Sequence, residues 1–206
     1  MAKYIRVNPE NPDPKVIGEI AKALKNGAVI VFPTDTVYGV GCDIMNPKAI
    51  ERVAQIKGTP AKKSNLSIVC QNLSHLSSFV KPISNPVFRV LKKSLPGAFT
   101  FILPANTSVP KVFNTKKKEV GIRVPDHKIP QAIVEELGNP IVTTSVIDVD
   151  ELLEYTMDPD MIYERFQDKV DIVIDGGYGN NIPSTIVLVQ NEGFEIIRQG
   201  LGELVV

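Results

Sequence analysis

The sequence predicts an α/β fold in a single domain spanning 1–206, a mixed sheet with helices packed on it. Two observations carry this. Helical and strand signals alternate through the first two thirds of the chain, and the last third is mostly strands. That order argues against a purely parallel doubly wound sheet. A chain of 206 residues with 43% hydrophobic content is also large enough to bury a substantial core.

The N-terminal stretch Met1-Ala2-Lys3-Tyr4-Ile5-Arg6-Val7 reads directly as a strand. A helix is predicted over 13–25, where Val16, Ile17, Ile20, Ala21 and Leu24 recur at helical spacing, with Gly27 as its stop. The apolar run Ala28-Val29-Ile30-Val31-Phe32 is a buried strand, and Pro33 ends its ladder. Asn46-Pro47 opens a second helix with a cap and an N1 proline, and its apolar face carries Ile50, Val53, Ala54 and Ile56. Asn85-Pro86 and Asp158-Pro159 repeat that start signal. A further helix over 129–137 ends at Gly138. Strands are predicted over 66–70, 99–103, 120–124, 141–145, 170–174, 185–189 and 194–198, and mobile loops over 148–155 and 179–183.

Composition removes several function classes. There is no apolar run long enough for a membrane span and no signal-peptide pattern, so a cytoplasmic protein with no membrane partner is expected. Cys42 and Cys70 make no spaced metal motif, and with only His75 and His127 beside them the expectation is two buried small side chains and no tightly bound, protein-ligated metal. Net charge is zero, which gives no bulk support for nucleic-acid binding. Lysines cluster locally at Lys62-Lys63, Lys92-Lys93 and Lys116-Lys117-Lys118, most simply as solvated faces. There is no G-x-S-x-G elbow, Walker lysine or H-E-x-x-H. Gly176-Gly177-Tyr178-Gly179 is followed by no helix and reads as a turn.

What remains is hydroxyls and cations. The segment Pro33-Thr34-Asp35-Thr36-Val37-Tyr38-Gly39-Val40-Gly41 follows a buried strand and is far too rich in polar groups for a plain turn. Thr34, Thr36, Thr100, Thr143, Thr144, Ser145, Ser184 and Thr185 lie at or beside strand ends. A threonine in a strand has β propensity as its simplest explanation. Arg123 in an apolar strand has no such explanation, because a buried guanidinium must meet solvent or an anion. Lys57 at a helix end favours the helix dipole or a ligand. Tyr38 reads as packing and His127 as a loop residue. Hydroxyls with Arg and Lys are the equipment of a phosphate or carboxylate site, where catalysis comes from positioning and charge stabilisation.

The signature from Pro33 to Gly41 resembles that of the YrdC/YciO superfamily, which includes threonylcarbamoyl-AMP synthases of tRNA modification. Five later stretches match in family order: Leu95-Pro96-Gly97-Ala98-Phe99-Thr100-Phe101-Ile102-Leu103, Val120-Gly121-Ile122-Arg123-Val124-Pro125, Ile174-Asp175-Gly176-Gly177, Pro183-Ser184-Thr185-Ile186-Val187 and Arg198-Gln199-Gly200. The chain is more similar to the YciO branch. The resemblance implies a twisted sheet around a central concave cleft. It also implies joining L-threonine, bicarbonate and ATP with release of pyrophosphate, ATP being a substrate that can carry Mg2+. Carried over by motif, Thr36, Arg123, Thr143 and Ser184 would serve the threonine, with Arg123 on its carboxylate. Asn65, Thr100, Ser145 and Arg198 would serve the nucleotide, as ATP or AMP. Lys57 would be the catalytic cation on the phosphates, first of the family's K-x-R pair.

Three motifs depart from that pattern. K-x-R is Lys57-Gly58-Thr59 here, S-A-N is Ser145-Val146-Ile147, and the N-P-L-I-V-H of many synthases is Asn65-Leu66-Ser67-Ile68-Val69-Cys70. Reduced or altered synthase activity is therefore expected. The alternative on the same fold is a non-catalytic protein that binds double-stranded RNA or tRNA.

Overall fold

The computed structural model describes residues 1–59, 66–110, 118–146, 157–191 and 193–206. In chain order the elements are β1 (Lys3–Arg6), α1 (Pro14–Lys25), β2 (Val29–Phe32), β3 (Gly39–Asp43), α2 (Pro47–Ile56), β4 (Ser67–Val69), α3 (Leu73–Ser77), α4 (Asn85–Ser94), β5 (Phe99–Pro104), β6 (Glu119–Arg123), α5 (Lys128–Leu137), β7 (Ile141–Ser145), α6 (Pro159–Phe166), β8 (Ile172–Asp175), β9 (Thr185–Gln190) and β10 (Gly193–Arg198). The strands form one sheet in the order β1-β8-β2-β3-β7-β4-β6-β5-β9-β10, with parallel and antiparallel neighbours mixed as the sequence predicts.

Local chemistry explains the helix starts. Asp13, Asn46 and Asp158 each accept a bond from a first-turn backbone N–H, with a proline inside the first turn. Helix α4 differs by one residue: Ser84, not Asn85, is the cap, and its hydroxyl makes no cap bond. Helix α5 starts at His127, whose Nδ1 accepts from Ile129 N at 3.2 Å, and stops at Gly138 in the left-handed region. Two elements were not anticipated. The second half of the signature is strand β3, antiparallel to β2, and a short helix α3 follows β4.

Side-chain alternation divides the core into two layers. On one face Val29, Val31, Val40, Ile68, Phe101, Ile122, Val142 and Val187 pack with residues of α2, α3, α4 and α6. On the other face Ile30, Phe32, Val69, Ile141, Ile172 and Ile174 pack under α1 and α5. Those two helices cover only the β8-β2-β3-β7-β4 part of their face. Where they stop, the same face carries Gly39 and Gly41, Thr143 and Ser145, Ser67, Gly121 and Arg123, Thr100, and Ser184. These are small, hydroxylic or charged groups rather than large apolar ones.

The loop over 179–183 is anchored: Gly179 N donates to Met157 O at 2.8 Å and Asn180 N to Thr36 O at 3.1 Å. The loop expected over 148–155 lies outside the described residues. Both cysteines are fully buried, and burial pushes their thiols up. Cys70, at the histidine position of N-P-L-I-V-H, belongs to the core layer away from the uncovered face.

Two outcomes follow. Gly41→Ala would bring a Cβ to 2.5 Å from Val142 O and 2.6 Å from Ile141 Cγ2. Urea denaturation should show a loss of about 1–3 kcal/mol from overpacking. Burial lowers the His127 pKa from 6.5, so the unfolded chain binds its proton more readily. The capping contribution is present above pH 6.5 and is lost as pH falls through the depressed folded value. His127→Asn, which caps without titrating, should flatten the dependence of stability on pH in that window.

Candidate functional site

The uncovered part of the sheet forms a cavity of about 230 Å3 lined by Tyr38, Gly39, Lys57, Ser67, Thr100, Arg123, Thr143, Thr144, Ser145, Ser184, Ile186 and Arg198. The described lining contains three cations and no carboxylate. Residues far apart in sequence meet here because neighbouring strands share register: Ser67 lies opposite both Thr143 and Gly121, Gly39 opposite Ser145, and Thr100 opposite Ile186.

Each cation arrives by a different device. Arg123 ends β6, only 7% exposed. Its Nη2 donates to Asp35 Oδ1 at 2.9 Å and to Thr36 Oγ1 at 2.8 Å. Asp35 Oδ2 accepts from Asp126 N at 3.1 Å. The hydroxyls behind it form a directed chain. Thr34 donates to Val37 O at 2.8 Å, so at the 3.1 Å contact with Thr36 it accepts, and Thr36, accepting from Arg123, donates. The anion expected for Arg123 is thus partly supplied by the protein itself, through Asp35. Its Nε is buried without a partner among the described residues. Burial lowers the Arg123 pKa, with Asp35 opposing and Arg198 adding to the shift.

Arg198 depends on a bulge. Strand β10 pairs Ile196 with Val187, and regular pairing would set Arg198 against Thr185, on the core side. The register shift between Ile196 and Arg198 instead sets Arg198 against Ile186. One extra residue therefore turns the guanidinium to the cleft face. Its Nη2 donates to Ser184 O at 2.8 Å, and partial burial lowers its pKa. Lys57 caps the C-terminal end of α2 and reaches the rim with an exposed side chain. Surrounding protein, and then the Arg198 charge, hold its pKa below 10.5.

The hydroxyls differ in how far they are committed. Thr100 Oγ1 and Ser184 Oγ share a bond of 2.8 Å, and Thr143 donates to Val40 O at 3.2 Å. Of the residues selected by motif, Lys57, Thr100, Arg123, Thr143, Ser145, Ser184 and Arg198 line the cavity. Thr36 does not: it is fully buried beneath Arg123 and holds that side chain in place. Asn65 and Ile147 lie outside the described residues. Ser67, Asp35 and Gly121 were not selected. Ser67 was signalled by a hydroxyl alternating with Val69 in a predicted strand, and Asp35 by being the signature's one acid. Tyr38 borders the cavity but is fully buried, and its hydroxyl donates to Gly177 O at 2.6 Å, bracing the Gly176-Gly177 turn. His127 is a helix cap. Lys92 and Lys93 lie on α4, which packs on the opposite face of the sheet from the cavity. Among the described residues no cluster of three His, Cys, Asp or Glu side chains could hold a metal, and no helix is long and apolar enough to cross a membrane.

A model of the family Sua5_yciO_yrdC, described as "Telomere recombination", matches residues 22–200. The chain belongs to the Sua5/YciO/YrdC family. It is 36% identical to an uncharacterized protein of Haemophilus influenzae, over 98% of this chain and 97% of that one. It is 34% identical to the uncharacterized protein YciO of Escherichia coli, over 99% and 98%. The crystal structure of E. coli YciO superposes with a TM-score of 0.91, covering 98% of each chain. P. abyssi Sua5 complexed with L-threonine superposes with a TM-score of 0.85 at 27% identity, covering 96% of this chain and 57% of that one.

The pairing at Arg123 has a measurable consequence. Asp35→Ala leaves a guanidinium stranded in a buried site and should cost about 3–5 kcal/mol in urea denaturation. Asp35→Ala with Arg123→Leu removes both charges and should recover much of that loss. A double variant as unstable as the single one would show that the pair is not the reason.

Proposed function

We propose that this chain is a threonylcarbamoyl-AMP synthase-like protein of tRNA threonylcarbamoyladenosine modification. In this reading it binds a small carboxylate, L-threonine in the first instance, together with ATP or AMP in the sheet cleft, and its activity is altered relative to the synthases. The observation that carries the reading is the convergence of Lys57, Arg123 and Arg198 on one hydroxyl-lined cavity with no carboxylate in its described lining. Such a cavity favours a ligand with several negative charges. Arg123, oriented from behind by Asp35 and Thr36, takes the carboxylate. Lys57 and Arg198, on the other rim, take phosphate oxygens, while Thr100, Thr143, Ser145 and Ser184 orient what lies between. Thr36 is here a positioning residue, acting through Arg123. Mg2+ arrives with the nucleotide phosphates, because the described lining offers it no carboxylate.

The altered activity follows from charge. A leaving pyrophosphate develops charge, and each fixed donor aimed at it typically contributes about 2.7–4 kcal/mol to the barrier. Thr59 stands where the K-x-R motif has its arginine, so Lys57 works without that neighbour. The support from relatives is the L-threonine complex of P. abyssi Sua5.

The deciding measurement is pyrophosphate release from ATP with L-threonine and bicarbonate, beside calorimetric binding of each ligand. Arg123→Ala should weaken L-threonine at least tenfold and AMP much less. Equal losses for both, or no threonine-dependent pyrophosphate and no threonine binding at all, would defeat the proposal.

A further inference from the structure

Zero net charge conceals a segregation along the chain. Residues 52–118 hold twelve lysines and arginines and not one aspartate or glutamate, whereas the remaining residues hold eleven and twenty-three. Part of the cationic stretch forms α3, α4 and the connection between them. Arg89, Lys92 and Lys93 are exposed on α4 beside Phe88, itself 40% exposed. Lys81 joins them across a notch of about 260 Å3 lined by Ser77, Val80, Lys81, Pro82, Ile83 and Phe88. Among the described residues none of these four cations makes an ion pair.

An acidic counterpart lies on the same side of the sheet, since α4 and α6 both pack on the face away from the cleft. Helix α6 carries Asp160 and Glu164 one turn apart, Asp168 follows just past its end, and all three are exposed. Met161 stands beside them, 45% exposed. Arg165 and Lys169 sit instead over the Phe166 ring, at 5.9 Å and 5.6 Å from its centroid. Helix α6 packs on β8, second in the sheet, while the loop at the notch is tied to β5, eighth in the sheet, by Lys81 N donating to Pro104 O at 2.9 Å. That separation is roughly 29 Å at ~4.8 Å per strand. Between the two faces α2 exposes both signs, Lys48 and Glu51.

One chain cannot bring these faces together, but two can. A two-fold axis running along the strands, over α2, sets each face on the opposite one of a second copy. Lysines and arginines then meet carboxylates, and Met161 meets the notch beside Phe88. A nucleic acid would be drawn to the α4 face and repelled by the acidic remainder of a chain with no net charge. A second copy finds attraction at both contacts, and zero net charge removes the general repulsion that keeps copies apart.

We propose that this chain forms a two-fold homodimer in which the α4 face of each copy docks on the α6 face of the other, with Met161 entering the notch beside Phe88. The two clefts lie on the outer faces of such a pair, so the inference stands independently of what the cleft binds.

The test is sedimentation equilibrium of the full chain over a range of concentrations, with thermal melting to show that each variant is folded. The wild type should dimerise at low salt and weaken as added salt shortens the reach of charge from ~10 Å at 0.1 M to ~3 Å at 1 M. Arg89→Glu with Lys92→Glu should be monomeric, and so should Glu164→Lys with Asp168→Lys, because like charges then face each other at both contacts. Mixed in equal amounts, these two variants should pair with one another, since every reversed face then meets an opposite one. Met161→Ala should weaken the dimer roughly a hundredfold, tenfold at each of its two notches. A wild type that stays monomeric at every concentration overturns the proposal, whatever else binds the α4 face, duplex RNA included. A dimer that survives both charge reversals overturns it too, as do reversed variants that remain apart when mixed. A Met161→Ala dimer as tight as the wild type overturns the docking geometry.

Discussion

A guanidinium held almost entirely inside the protein constrains everything around it. Arg123 cannot stay there without a counter-charge and acceptors, because the cost of an unpaired buried ion is several kcal/mol. The segment after β2 meets that demand with one carboxylate and two hydroxyls, at 2.9 Å and 2.8 Å from Nη2 and one bond further back. The demand also explains why a strand exit is so polar, and why its hydroxyls run in one direction to end on a backbone carbonyl. The signature is thus first a clamp on a side chain three strands away, and only through that side chain a part of the cleft.

The cleft itself follows from incomplete coverage. A sheet face needs large apolar residues only where a helix lies on it. Under α1 and α5 the face carries Ile30, Phe32, Val69 and Ile141. One pleat further along the same strands, β4 changes from Val69 to Ser67 and β7 from Ile141 to Thr143, and on β3 Gly39 and Gly41 stand beside Phe32 and Thr143. Large side chains there would fill the floor, and small ones leave it open to a ligand. The opposite face shows no such change, since α2, α3, α4 and α6 cover it. The same strands therefore serve as core on one side and as site on the other.

How much of this was legible depended on whether the signal was local. Helix starts were, because Asp13, Asn46 and Asp158 act on residues two or three away. The mixed sheet was, because strand and helix periods differ. Strand β3 was not: two glycines, a cysteine and an aspartate around one valine carry no strand pattern, and the pairing with β2 and β7 supplies the order. Most of the residues picked out by motif line the cavity, but the motifs could not separate lining from support. Thr36 and Thr143 look alike in sequence and both are buried; what separates them is that Thr143 lines the cavity while Thr36 sits behind Arg123. Cys70 shows the converse. Its substitution for histidine reads as a lost polar group, yet the position belongs to the apolar layer, where a small thiol packs with neighbours from the helices. Arg198 was the least derivable from first principles, because a single bulge decides its face.

The electrostatics of the cleft gives the missing arginine its meaning. A neutral protein gathers Lys57, Arg123 and Arg198 around one cavity, and burial, with a smaller contribution from the Arg198 charge, lowers the pKa values of Lys57 and Arg123. Asp35 offsets one of the three from behind. Thr59, at the arginine position of the K-x-R motif, adds no fourth charge to this set. Cations gathered around one cavity repel one another, and negative charge that enters between them relieves that repulsion. The three charges that are costly to hold together in the folded chain are therefore the same ones that favour an anionic ligand, and Asp35, placed behind Arg123 and outside the lining, offsets the cost without cancelling the attraction.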